Sequence, residues 1–528
     1  MRRSRREFLA EVGRGMLVAS LGASLAIESG LSPVLAEEPS QRLTFDKLEP
    51  LVSLLQETPP DKLLPLVVER LRDGLELKSL TAAAALANAR AFGGEHYGGF
   101  HTFMALVPAY QMAAELPRDR QALPILKVLY RNSAFLQESS AAQHDTLTPL
   151  ASDDATLTAK AEQIQAAIDA GDKQLAERQL QAILRAGTPL EALQAALRGV
   201  EDNHDVHTVV LPWRAYAMLE LTGPEHALTM LRQSVRKCAQ QAVPNNDARA
   251  KELTRRRALV PKLLETHKLL APRTTPTRNA DDAWIEKFST MLLSATDEQA
   301  AEAAAIALAE GFDPQQIGEA ISLASNALIL RQAETSPNYG QRTHGDSMGV
   351  HASDATNAWR NMLRVCDARQ QAAGLMLAAA NVASSARWGS SQQPPALLDA
   401  PYPHAEQLAA IKQQDAAALL EALDSAIRHR EQLTACALVT RYGMLGHAER
   451  PAFDVLLKYA ISEDGRLHSE KYYRTVTEEF ATTRPAFRWR QLAALARVTA
   501  SSYGLDAKDR PSGRAPGYEE ACRLLKIG

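Results

Sequence analysis

The chain is short of several things, and each shortage removes a class of protein. Its 528 residues hold four cysteines, Cys238, Cys366, Cys436 and Cys522. They lie too far apart for a CxxC pair, which argues against a cysteine-rich zinc site or a covalently attached c-type haem. Aromatic residues make up 5% of the chain and β-branched runs are scarce, so alternating strands have little to be built from. A net charge of −3 lacks the basic excess that nucleic acid or an anionic membrane surface demands, and no nucleic-acid partner is expected. The most basic stretch, Arg249 to Arg278, has nine Lys and Arg against two Glu and reads as a solvated helix face. No apolar run reaches the roughly 18 residues of a membrane span, so no membrane insertion of the mature chain is expected. GxSxG, HExxH, Walker and dinucleotide fingerprints are all missing.

What the chain does have is alanine and leucine in abundance, and with them high helix propensity nearly throughout. Pro/Ser/Thr-rich interruptions at 138–154, 271–282 and 389–404 recur at regular intervals, the mark of a repeat. They divide the chain into segments 37–137, 157–270, 283–388 and 404–528. The expected fold is all-α, with four helical repeat units forming a solenoid or a closed α/α ring.

In each segment a helical run ends on matched polar positions. The first reaches His96 and then Phe100-His101-Thr102. The second reaches His204 and then Val206-His207-Thr208; the third reaches His344 and then Val350-His351-Ala352. The fourth reaches His447, and its second position reads Phe453-Asp454. Equivalent units would place all of these at one end or along one edge of the assembly. Eight or nine residues beyond the second His stands an aromatic, Tyr110, Tyr216 or Trp359, expected to wall the same pocket.

Neutral imidazole is a common ligand of transition metals, so gathered histidines point to a metal site. The candidate ligands are His96, His101, Glu201, His204, His207, His344, His351, His447 and Asp454, for a transition metal such as Fe, Zn, Cu or Mn. Glu201, His204 and His207 would follow one helix face at i, i+3 and i+6 if the helix continues that far. Asp346 and Asp354 would orient or join the third pair. His468, in Gly465-Arg466-Leu467-His468-Ser469, mimics the Val-His-Thr context without the preceding helix in the right place. It is a weaker candidate, and His144, His226, His267, His404 and His429 look incidental. Gly93, Gly94, Gly98 and Gly99 lack the strand of a phosphate loop and are expected to let the backbone approach a neighbour or a ligand. Three other readings stand beside the metal site: histidines that merely cap duplicated loops, a non-catalytic helical-repeat scaffold, and a metal-independent hydrolase or lyase pairing His with Asp202, Asp205 or Asp454.

Two resemblances add to this. Ser4-Arg5-Arg6-Glu7-Phe8-Leu9 resembles the twin-arginine export signal, and is followed by an apolar run from Met16 to Ile27 and by Val34-Leu35-Ala36. That implies a signal peptide over residues 1–36 cut after Ala36, recognition by the twin-arginine export machinery, and a periplasmic or secreted protein. Because this route carries folded proteins, it also suits one already loaded with a cofactor. The segments GGEHYGGFHTFMALVPAY and NHDVHTVVLPWRAYAML resemble the paired-histidine stretches of questin oxidase-like proteins, a helical family linked to oxygen-dependent oxidation of polyketide rings. The resemblance implies an oxidoreductase acting on a small-molecule substrate, with His96, His101, His204 and His207 as its site residues.

Replacing Arg5 and Arg6 together with Lys is expected to retain the precursor in the cytoplasm, as read by cell fractionation. Unchanged secretion would remove the export assignment.

Overall fold

The computed structural model describes residues 42–527 apart from 140, 142, 151–156, 158–159, 202–204, 272–275, 332–346, 393–400 and 505–513. The twin-arginine segment, His204, His344, Asp202 and Asp346 lie outside the described residues. The protein is all-α; among the described residues the extended pairing is one isolated bridge between Arg278 and Phe312. Thr44 to Gly528 form one compact unit, so the four sequence segments share a body.

At the centre stand four helices: α1 (Tyr97–Ala114), α2 (Val206–Ala217), α3 (Met348–Met362) and α4 (Ser469–Thr482). Helix α1 packs on α2 and α4, α2 packs on α3, and α3 packs on α4, so the four close into a ring. Other helices wrap the outside. Leu77–Phe92 and Leu123–Glu138 cover α1, Ala227–Ala242 covers α2, Pro314–Arg331 and Ala368–Gln392 cover α3, and Glu449–Ser462 and Arg488–Ser502 cover α4.

Two helical layers explain the composition. A helix with neighbours on every side has no solvent face, and Leu77–Phe92 buries every residue from Leu80 to Phe92. Alanine suits that position because its small side chain lets helix axes approach while costing no side-chain entropy. The same burial runs through α1 from Gly98 to Ala109 and through α3 from Ala352 to Met362.

Three of the four inner helices start at a side-chain cap, and α4 follows His468 without one. The His96 ring nitrogen Nδ1 accepts from Gly99 N at 3.1 Å to begin α1, the Asp205 carboxylate accepts from His207 N at 2.9 Å to begin α2, and Ser347 Oγ accepts from Val350 N at 3.3 Å to begin α3. Such caps satisfy amide groups that the first turn leaves without partners.

The first and last parts of the chain are locked together by buried charge. Lys127, fully buried, donates from Nζ to Ala460 O at 2.8 Å and Glu463 O at 2.6 Å, and pairs with the equally buried Glu470 at 2.9 Å. Arg131 joins from the next helical turn, bonding Glu470 at 2.7 Å and pairing with Asp464. Burial lowers the Lys127 pKa, an effect the Glu470 and Asp464 carboxylates oppose. The C-terminal helix Pro516–Leu525 also packs on Leu123–Glu138.

Removing one partner of a buried pair strands the other charge, so Lys127→Met is expected to cost about 3–5 kcal/mol in chemical denaturation. A loss below about 1 kcal/mol would mean that the lock carries little of the closure.

Candidate functional site

The ring brings four histidines to one place. His101 is the fifth residue of α1, His207 the second of α2, His351 the fourth of α3, and His468 the residue immediately before α4. All four sit at helix N-terminal ends, so the inner helices run parallel. His101 and His207 face each other with Nε2 atoms 3.2 Å apart and ring centres 4.8 Å apart. His351 and His468 do the same at 2.9 Å and 4.7 Å. The two pairs meet edge to face, with ring centres 5.4 Å apart for His101–His468 and 5.6 Å for His207–His351.

The outer ring nitrogens settle which atoms point inward. His101 Nδ1 lies 2.8 Å from the Tyr97 carbonyl oxygen, and His468 Nδ1 lies 2.8 Å from that of Arg466. A carbonyl only accepts, so both Nδ1 atoms carry the proton. His207 Nδ1 lies 2.8 Å from the Asp205 carboxylate, whose hydrogen bonds to His207 overcome its burial and hold its pKa at about 2. Ionised, it too only accepts. His101, His207 and His468 therefore turn unprotonated Nε2 lone pairs toward the centre. The fourth ring, His351, has no hydrogen bond at Nδ1 among the described residues and can donate from Nε2 to His468.

Burial keeps three of these rings, His101, His351 and His468, neutral. It pushes the His101 and His468 pKa values well down, assisted in both by the nearby Lys471 charge. It lowers that of His351 to about 3, with His207 and Lys471 adding to the effect. His101 and His468 are 0% and 1% exposed.

The turn that delivers His468 is unusual. Gly465, Arg466 and Leu467 all have positive φ, at 53°, 52° and 71°. Two consecutive non-glycine residues in the left-handed region cost of order 1–3 kcal/mol each and persist only where surrounding structure enforces them. Here Lys127 grips the Glu463 carbonyl and Arg131 the Asp464 carboxylate, just ahead of the turn.

Several sequence candidates are elsewhere. His96 caps α1 and stacks on Phe92 with ring centres 4.8 Å apart. His447 Nε2 lies 2.8 Å from the Gln414 carbonyl at an exposed position, and Asp454 pairs with Arg450 on the surface. The helical run does not continue through Glu201: it ends at Val200 and α2 begins at Val206, so the expected i, i+3, i+6 face does not form. Glu201 is instead held by Arg369 at 2.6 and 3.0 Å. Asp354 bonds Thr475 Oγ1 at 2.8 Å rather than an imidazole.

Tyr110, Tyr216 and Trp359 do not wall the cluster. Nine residues advance about 900° around a helix, which puts Tyr110 and Tyr216 on the face opposite their histidines. Trp359, 2% exposed, packs against Gly374. The aromatics beside the imidazoles are Tyr97, 4.2 Å from His101 between ring centres, and Phe100, 5.1 Å from His207. Gly94 serves a close approach to a neighbour, since a Cβ there would lie 2.5 Å from the Gln233 carbonyl oxygen.

The functional residue that sequence reasoning missed is His468. Leu467-His468-Ser469 repeats the apolar-His-small pattern, and the helix that precedes it is Glu449–Ser462. Aligning the last unit on His447 shifts it by one helix and hides the match.

No protein-family model, curated protein or solved structure matches the chain. Among the described residues no three His, Cys, Asp or Glu side chains are drawn in as tightly as around a bound ion. The four imidazoles stand as two close pairs. The nitrogen spacing within each pair nevertheless suits a shared ion, since bonds of about 2.0–2.1 Å place tetrahedral neighbours about 3.3 Å apart.

In the metal-free protein the His101, His351 and His468 rings are neutral, whereas in the unfolded chain they titrate near 6.5. Unfolding below that value takes up protons, so stability is full above about pH 7 and falls as pH drops toward the folded value of about 3 at His351. Thermal midpoints of chelator-treated protein are expected to fall between about pH 7.5 and 5, less steeply in His351→Gln. Identical slopes in the two proteins would contradict the buried, neutral state of that ring.

Proposed function

We propose that His101, His207, His351 and His468 bind one transition-metal ion, and that the chain is an exported, metal-dependent oxidoreductase acting on a small molecule. The observation that carries this reading is the pair of Nε2 lone pairs held 3.2 Å apart on His101 and His207. Both rings have their proton on Nδ1, so the contact is repulsive unless a proton or a cation lies between them. A proton on His207 Nε2, with the Asp205 carboxylate as its counterion, or a metal ion would each relieve it, and the His351 and His468 rings close by favour the ion.

The surroundings fit the same role. Nδ1–H bonds to Asp205, Tyr97 O and Arg466 O are the outer contacts that fix the orientation of metal-binding histidines, and the carboxylate raises the basicity of His207. An all-imidazole set suits Fe, Cu or Zn better than Mn, which favours oxygen ligands. Iron or copper accords with an oxidoreductase, because zinc has no redox chemistry of its own. The oxidoreductase assignment draws on the likeness of the His101 and His207 segments to questin oxidase-like proteins, and export draws on the Arg5-Arg6 motif.

The Asp205–His207 dyad also has the form of a general base. Against that use, His207 Nε2 faces another imidazole rather than a nucleophile. The scaffold reading is disfavoured because the histidines are enclosed by a closed ring rather than spread along a groove.

Metal analysis of protein purified without added chelator is expected to find about one Fe or Cu per chain. His351→Ala and His468→Ala should lose it, His96→Ala and His447→Ala should keep it, and Asp205→Asn should weaken affinity about 10–100-fold. Retention in His468→Ala, or loss in His447→Ala, would overturn the ligand set.

A further inference from the structure

The histidines sit inside packed helices, so an ion or a substrate needs a way in, and the side chains around the cluster differ in how firmly they are held. Tyr97 is the first residue of α1. Helical side chains lean toward the N-terminus, which carries its ring past the end of the helix, where the four N-termini converge. The ring centre lies 4.2 Å from that of His101, 6.1 Å from that of His207 and 5.5 Å from that of Phe100. His101 is 0% exposed, whereas Tyr97, resting on it, is 58% exposed. Tyr97 thus stands between that imidazole and solvent.

Its neighbours show that solvent reaches this edge of the cluster. The bonded pair His207 and Asp205 keeps side-chain exposures of 16% and 40%. Phe100 packs on His101 and His207 with ring centres 4.8 and 5.1 Å away, is 2% exposed, and has the Lys237 ammonium 4.3 Å over its ring. Moving that side chain would disturb the core. Tyr97 is held differently: no helical turn precedes it, and Gly98 and Gly99 follow it without side chains to brace it. Because more than half of the residue faces solvent, rotation about its Cα–Cβ bond breaks few contacts, and exposed side chains turn in this way within picoseconds to nanoseconds. The Tyr97 carbonyl, which accepts from His101 Nδ1 at 2.8 Å, stays in place when the side chain turns.

We propose that the Tyr97 ring is a movable cover over the His101–His207 side of the cluster. Lying on His101 it shields the imidazole from water; turned away it admits an ion or a small molecule. The backbone that aims His101 is the same in both positions, so the cover governs how fast the site is reached and not how tightly it holds what it binds. This inference rests on the histidine cluster being the functional centre, and it names the residue that controls entry to that centre.

The test loads chelator-treated, full-length protein with zinc(II) and follows its transfer to an excess of a chromogenic chelator. Tyr97→Ala should take up and release zinc about tenfold faster than wild type with an unchanged dissociation constant, and Tyr97→Phe should match wild type. Equal rates in Tyr97→Ala and wild type overturn the inference, and so does faster release without faster uptake, which would make Tyr97 a packing residue only. A second readout needs no metal. Diethyl pyrocarbonate, which acylates unprotonated imidazole nitrogen, should label His101 faster in metal-free Tyr97→Ala than in wild type, as read by peptide mass spectrometry. The exposed His429, whose Nδ1 lies 2.9 Å from the Ser425 carbonyl oxygen, should react equally in both and serves as the internal standard. Faster labelling without zinc uptake sinks the metal reading alone, and zinc uptake with equal labelling sinks the cover alone.

Discussion

The structure depends on a single electrostatic constraint: imidazole nitrogens with lone pairs are pressed against one another in an enclosed cluster. His101 and His207 approach to 3.2 Å with both Nδ1 protons committed outward. Such an arrangement is unfavourable by itself, and much of the chain is arranged to impose it. Four helix N-termini converge, a carboxylate and two carbonyls aim the rings, and a turn with successive left-handed residues presents His468. The Lys127–Arg131–Glu470 cluster sits beside that turn and ties it to the first part of the chain. The same lock that closes the ring thus holds the fourth imidazole in place.

Helix class was legible because it follows from local chemistry: abundant alanine and leucine with little β-branching leave no other choice. The convergence of His101, His207 and His351 was legible too, because each follows an apolar residue and opens the next helix. What could not be read was which polar residues belong to the cluster. His96 occupies a matched place yet caps a helix, because its Nδ1 is the nearest acceptor for Gly99 N. Glu201 looked like a ligand because the helix was assumed to run on; its end at Val200 turns the carboxylate to Arg369 instead. His468 was hidden by a one-helix offset in the last unit, and the aromatics Tyr110 and Tyr216 were read by spacing without the rotation that nine residues impose.

X-ray absorption at the metal edge of the protein as isolated tests the central claim most directly. The account predicts a first shell dominated by nitrogen at about 2.0–2.1 Å, with the outer-shell scattering of three to four imidazoles. A sulfur-containing shell, an all-oxygen shell without imidazole scattering, or no metal at all would contradict it.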